Sequence, residues 1–123
     1  MEKVLAYVAA GMVGLWGVSH AIPTRAVVAG FGEISTDSRR VLVQEWLAEA
    51  VTMWSLAALI IVVTAVGGGT SVADWTYCAI AGALLVLAVL TALTGARTSV
   101  IWFKICPVLL TSSAALLLAA SLA

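Results

Sequence analysis

Two carboxylates stand four residues apart in Arg39-Arg40-Val41-Leu42-Val43-Gln44-Glu45-Trp46-Leu47-Ala48-Glu49-Ala50-Val51-Thr52-Met53-Trp54. On a helix that spacing places Glu45 and Glu49 on one face, one turn apart. The stretch reads as the entry of a membrane-spanning helix. Ionisable groups beside hydrocarbon are costly, so they call for a partner, a cavity or protonation. Paired acids of this kind suit three kinds of chemistry: an ion pair, a site for an organic cation beside aromatic rings, or a proton relay.

The candidate answering groups are few. Trp16 and His20 sit four residues apart near the end of the first apolar run. Arg97 and Lys104 are seven apart, hence on one helical face, at the start of the last run. Trp46 and Trp102 join Trp16 as aromatic walls. One reading is an ion-paired plug, with Glu49 against Lys104 and Glu45 against Arg97 or His20. The other is a polar pocket in which Glu45, Glu49, His20, Lys104, Arg97, Trp46, Trp16 and Trp102 bind a ligand or relay protons. A lone histidine near a helix end also fits a plain interfacial residue. No catalytic residues emerge, because no Ser or Cys is tied to a base by pattern. One His, two Glu and a distant Cys have no recognised metal-ligand spacing, so no metal is expected. No phosphate-cradling loop is present, and no cofactor is expected.

Composition decides what must position these residues. Of 123 residues, 63% are hydrophobic and 10% charged, against about 25% charged in soluble domains. Mean hydropathy is +1.16. The chain therefore reads as an integral membrane protein whose first partner is the lipid bilayer. Net charge is zero, which gives no field for nucleic acid. The two cysteines lie inside apolar runs, at opposite expected depths, and read as small core residues rather than a disulfide.

Four apolar runs are long enough to span a bilayer: Val4 to Ile22, Asp37 to Val66, Val72 to Leu93, and Ser99 to Leu122. Ser19-His20-Ala21 resembles a signal-peptide cleavage site, but Glu2 cancels Lys3 and leaves no basic leader. Gly11, Gly14 and Gly17, with Ala6 and Ala10, predict a close-packing face on the first helix. Pro23 stops it. Thr24 to Phe31 reads as a short interfacial or re-entrant helix ended by Gly30 and Gly32. Ser35-Thr36-Asp37-Ser38 supplies helix-capping side chains. The second helix, about 45 Å long, must tilt or protrude. Gly67-Gly68-Gly69 ends it, and the capping-box pattern Ser71-Val72-Ala73-Asp74 opens the third. Pro107 is expected to kink the fourth or free a carbonyl near Phe103. The fold class is thus all-α, a four-helix transmembrane bundle.

Arg25, Arg39, Arg40 and Arg97 fall on the loops of one end, and only Lys3 on the other. The positive-inside rule then puts both Arg-bearing loops in the cytoplasm and both termini outside, in a multi-pass cell-membrane protein. Trp16, Trp46 and Trp102 mark the inner interface. Tyr7, Trp75 and Tyr77 mark the outer one, and Trp54 lies mid-membrane.

The stretch Gly14-Leu15-Trp16-Gly17-Val18-Ser19-His20-Ala21-Ile22-Pro23, followed by Glu45-Trp46-Leu47-Ala48-Glu49, resembles the DoxX-like small membrane proteins. The resemblance covers about the first half of the chain. It implies four helices, a polar first loop and a glutamate opening the second helix. Roles in that family include accessory subunits of redox complexes and chaperones of other membrane proteins, so it also implies a membrane complex partner. Small multidrug exporters also have four helices, but carry their glutamate in the first and balance their loop charges. The leading expectation is a non-enzymatic accessory or ligand-binding protein with a charged, Trp-lined pocket facing the cytoplasm. A proton- or cation-coupled transporter acting as a homo-oligomer, and an enzyme on a lipid-like substrate using Glu45 or Glu49 as acid or base, are the alternatives.

Overall fold

A computed structural model describes residues 1–123. The chain forms five helices and no strand: α1 (Glu2–Ala21), α2 (Thr24–Ala29), α3 (Thr36–Gly67), α4 (Ser71–Leu93) and α5 (Ile101–Leu122). A 3-10 turn over Gly95–Arg97 joins the last two. All but α2 are long and apolar enough to cross a membrane. Their bounds fall within two residues of those expected from the apolar runs. α2 is the short helix foreseen after Pro23.

Local chemistry sets the ends. Ser35 caps α3, its hydroxyl accepting from Ser38 N at 3.1 Å. The glycine turn that closes α3 contains Gly69 at φ +86°, a conformation a side chain would strain. Glu2 Oε1 accepts from Gly69 N at 2.9 Å, which ties the start of α1 to that turn. The capping residue of α4 is Thr70 rather than Ser71. Thr70 is still extended (φ −110°, ψ 152°) and its hydroxyl accepts from Ala73 N at 3.4 Å, whereas Ser71 is already helical. α5 runs through Pro107 without a break.

Around the bundle the order is α3, α1, α5, α4. α1 packs on α3 and α5, α4 packs on α5, and the α3–α4 seam is the thinnest. A groove of about 550 Å³ lies along that seam, walled by Leu56, Leu59, Trp75 and Ile80 among others. The core is built of small residues on α1 (Ala6, Ala9, Ala10, Val13) interlocked with Met53, Ile60, Leu84, Leu110 and Leu117. Large side chains such as Val62, Val86 and Val108 point outward, where hydrocarbon is as good a neighbour as protein.

The small-residue face of α1 is real but narrower than expected. A Cβ on Gly14 would touch Ala57, and one on Gly17 would lie 2.8 Å from Trp54 Nε1 and 3.2 Å from Ala50 O. Gly11 has nothing within 4 Å and takes no part. Tyr77 is also not the interfacial anchor its sequence position suggested. It is fully buried, its hydroxyl 2.8 Å from Thr64 Oγ1. Thr64 gives its one hydroxyl proton to Ile60 O at 2.6 Å, so Tyr77 is the donor. That bond stitches the thin α3–α4 seam from inside.

Candidate functional site

The polar residues gather at the bundle end where α1 finishes, α3 begins, α4 finishes and α5 begins. His20, near the last turn of α1, is the centre. Its side chain is 8% exposed, and Nε2 lies 3.3 Å from Glu49 Oε2, whose side chain is 39% exposed. The approach is close but off the line of a hydrogen bond, so Nε2 has no aligned partner. Trp46, one turn before Glu49 on α3, stacks on the imidazole with ring centroids 4.0 Å apart and planes 16° apart. Its Nε1 donates to His20 O at 2.7 Å. That carbonyl sits in the last turn of α1, where chain carbonyls lack helical partners. Trp46 therefore both covers the imidazole and closes the helix end.

α5 supplies the next layer. Phe103 meets Trp46 edge-on at 6.0 Å. Cys106, 4% exposed, places its thiol beside Trp16 of α1 and Thr91 of α4 and within electrostatic reach of Glu49. The thiol does not reach hydrogen-bond geometry with the indole, and Trp16 Nε1 is shut off from solvent without a partner. All four long helices thus contribute to one polar cluster: Trp16 and His20, Trp46 and Glu49, Thr91, then Phe103 and Cys106.

The expected ring of five ionisable groups does not close. Neither Glu49–Lys104 nor Glu45–Arg97 nor Glu45–His20 forms. Lys104 Nζ instead donates to Ala96 O at 3.2 Å, satisfying a carbonyl of the short 3-10 turn. Arg97 is exposed on that same turn. Glu45 is exposed, and its carboxylate accepts one side-chain hydrogen bond, from Gln44 Nε2 at 3.5 Å. Trp102 is 63% exposed and faces away from the cluster that Phe103 and Cys106 enter. The acid–base contacts of the chain are His20–Glu49, an ion pair only when the imidazole carries a second proton, and an exposed Asp37–Arg40 pair at 3.7 Å.

Three members of the cluster went unread in the sequence: Thr91, Phe103 and Cys106. The available signal was the spacing of Phe103 and Cys106, three apart and so on one face, with Trp102 a helical step away. Thr91 carries no such signal, because α4 otherwise looks wholly apolar.

Chemically, the cluster offers one carboxylate, one imidazole, one thiol and two indoles, half of it sealed. No three His, Cys, Asp or Glu side chains come together as ligands for a metal ion. Comparison of the chain with protein-family models, with characterised proteins and with solved structures returned no match.

Proposed function

We propose that the chain is a small, non-catalytic membrane protein that binds a ligand, or a partner's side chain, at the His20–Glu49–Trp46 cluster, with the cluster and the Arg-bearing loops facing the cytoplasm. One observation carries this reading. Glu49 meets no lysine or arginine, only His20, so the acids of this end are not neutralised as a plug. A half-exposed carboxylate over a buried imidazole is open to a further group. The resemblance to DoxX-like accessory proteins supports the same reading for the first half of the chain.

Binding is favoured over conduction by the rest of the interior. Beyond this end the buried polar side chains include Thr64, Tyr77 and Ser113. Each is already bonded, Thr64 to Ile60 O and Tyr77, and Ser113 to Leu109 O at 2.9 Å. No chain of open polar groups continues toward the glycine turn.

The test compares the parent protein with Glu49→Gln in lipid nanodiscs, reading saturable uptake of decyl-chain probes bearing different head groups together with the thermal midpoint. A binding niche shows saturable uptake that Glu49→Gln weakens while the midpoint is kept. A packing device shows a lowered midpoint and no saturable uptake by either protein, and that outcome rejects the proposal. Sidedness is checked with an Glu45→Cys variant and a membrane-impermeant maleimide. Labelling is expected in inverted vesicles and absent in intact cells.

A further inference from the structure

We infer that the corner where the 3-10 turn meets α5 holds the phosphate of an anionic phospholipid, with an acyl chain laid along the outer face of α5. This site is separate from the His20–Glu49–Trp46 cluster and stands or falls without it.

Two cations share the corner and neither has an acid. Lys104 Nζ lies 3.2 Å from Ala96 O, the carbonyl of the peptide that leads into Arg97. The turn sits against the start of α5, where a Cβ on Gly95 would stand 3.3 Å from Phe103 Cγ. The Lys104 ammonium is thus held beside the backbone of Arg97. Both residues are exposed, and no carboxylate comes within 4 Å of either. The acids of this end, Glu33, Asp37, Glu45 and Glu49, all belong to α3 or the segment before it. Nothing on α5 offsets the charge either, since its first turn carries no acid. An anion answers this pair. Lys104 spends one of its three donors on Ala96 O and keeps two, and Arg97 brings a planar fork suited to phosphate oxygens.

The surroundings say what carries the anion. Trp102, 63% exposed, suits the headgroup level, where indoles concentrate. Lys104, Val108, Thr111 and Ala115 are four, three and four residues apart, so they share one face of α5. On that face the short side chains Val108, Thr111, Ser112 and Ala115 line a groove of about 420 Å³ beside Pro107. Exposed Ile101 and Ile105 flank the way down to it. A free phosphate would use the corner alone, whereas a lipid uses the corner and the groove beneath. A zwitterionic headgroup would set its own cation beside Lys104 and Arg97. A headgroup of the phosphatidylglycerol type brings the phosphate without one.

Native mass spectrometry of the whole protein in detergent, titrated with palmitoyl-oleoyl phosphatidylglycerol or phosphatidylcholine, tests this. The first phosphatidylglycerol is expected to bind more tightly than phosphatidylcholine and to resist excess inorganic phosphate. Each cation removed should weaken it about fivefold, so Arg97→Gln with Lys104→Met should weaken it about thirtyfold. Arg39→Gln with Arg40→Gln removes as much charge from the same end and should leave affinity within about twofold, since these side chains stand on α3 and Arg40 already meets Asp37. Arg97→Gln alone breaks no ion pair, and its fivefold loss decides the matter if the double variant has a lowered thermal midpoint. Equal affinity for the two lipids, or no binding of either, overturns the inference. So does a loss as large from the Arg39 and Arg40 pair, which would mean a general field, or displacement by inorganic phosphate, which would mean a site for a free anion.

Discussion

At Gly17 the α3 chain lies too close to α1 for a side chain, and adding one methyl there has a calculable consequence. A Cβ at Gly17 would stand 2.8 Å from Trp54 Nε1, 2.9 Å from Trp54 Cδ1 and 3.2 Å from Ala50 O. Ordinary contacts between such atoms are near 3.5 to 4 Å. The indole must therefore turn, and Trp54, 41% exposed, has space on its outer side. The Ala50 carbonyl belongs to the α3 backbone and can yield only if the helix moves by a few tenths of an ångström. Overpacking of this kind costs about 1–3 kcal/mol, offset by about 1 kcal/mol of helix propensity gained from Gly to Ala. The net expectation for Gly17→Ala is a loss of about 1 kcal/mol. Larger residues cost more, because His20 lies one turn further along the same face and would be carried away from Glu49 and Trp46. Equilibrium unfolding in mixed micelles, followed by helical circular dichroism, measures the effect. The cycle with Trp54→Ala divides it: once the indole is gone, Gly17→Ala should lose the part of its penalty due to the ring and keep the part due to the Ala50 carbonyl. A penalty of equal size with and without Trp54 would refute the close-approach argument.

The Thr64–Tyr77 bond predicts an asymmetry. Tyr77→Phe leaves Thr64 still bonded to Ile60 O and should cost about 1 kcal/mol, whereas Thr64→Val strands a buried hydroxyl and should cost about 1–3 kcal/mol; equal losses in the same unfolding assay would contradict the donor assignment. Lys104→Met should change stability by no more than about 0.5 kcal/mol, since it removes one exposed bond to Ala96 O; a large loss would revive an ion pair with Glu49. A double-mutant cycle of His20→Phe with Glu49→Gln should show coupling of no more than about 0.5 kcal/mol, since the contact is misaligned and half exposed; a coupling of several kcal/mol would make the pair a packing device.

Helix positions were legible because lipid makes them so. A span must be long, apolar and closed by breakers, and Pro23, Ser35, Gly67 and Gly95 supplied the punctuation. The common level of His20, Glu49 and Lys104 was legible too, since rise per residue converts position into depth. Which of them meet was not. Pairing depends on how each helix is rotated, and a helix that is apolar all round gives little sign of its inner face. Lys104 and Phe103 are adjacent in sequence, yet one reaches the turn at Ala96 and the other the ring of Trp46. The same ambiguity put Trp102 in the pocket in place of Phe103, and set Tyr77 at an interface when its hydroxyl is bonded inside. Gly17 and Gly14 were recognisable as a contact face from their spacing, but nothing in the spacing separated them from Gly11.

The packing order α3, α1, α5, α4 has a bearing on biosynthesis. α1 and α3 are separated in the chain only by the α2 connection, and α4 and α5 only by the 3-10 turn, and the two pairs meet chiefly through α1 and α5. The first hairpin can therefore enter the bilayer and close on itself before the second leaves the ribosome. The glycine run between them then serves as a tether, and two fragments made separately by a break at Gly68 should find each other in the membrane.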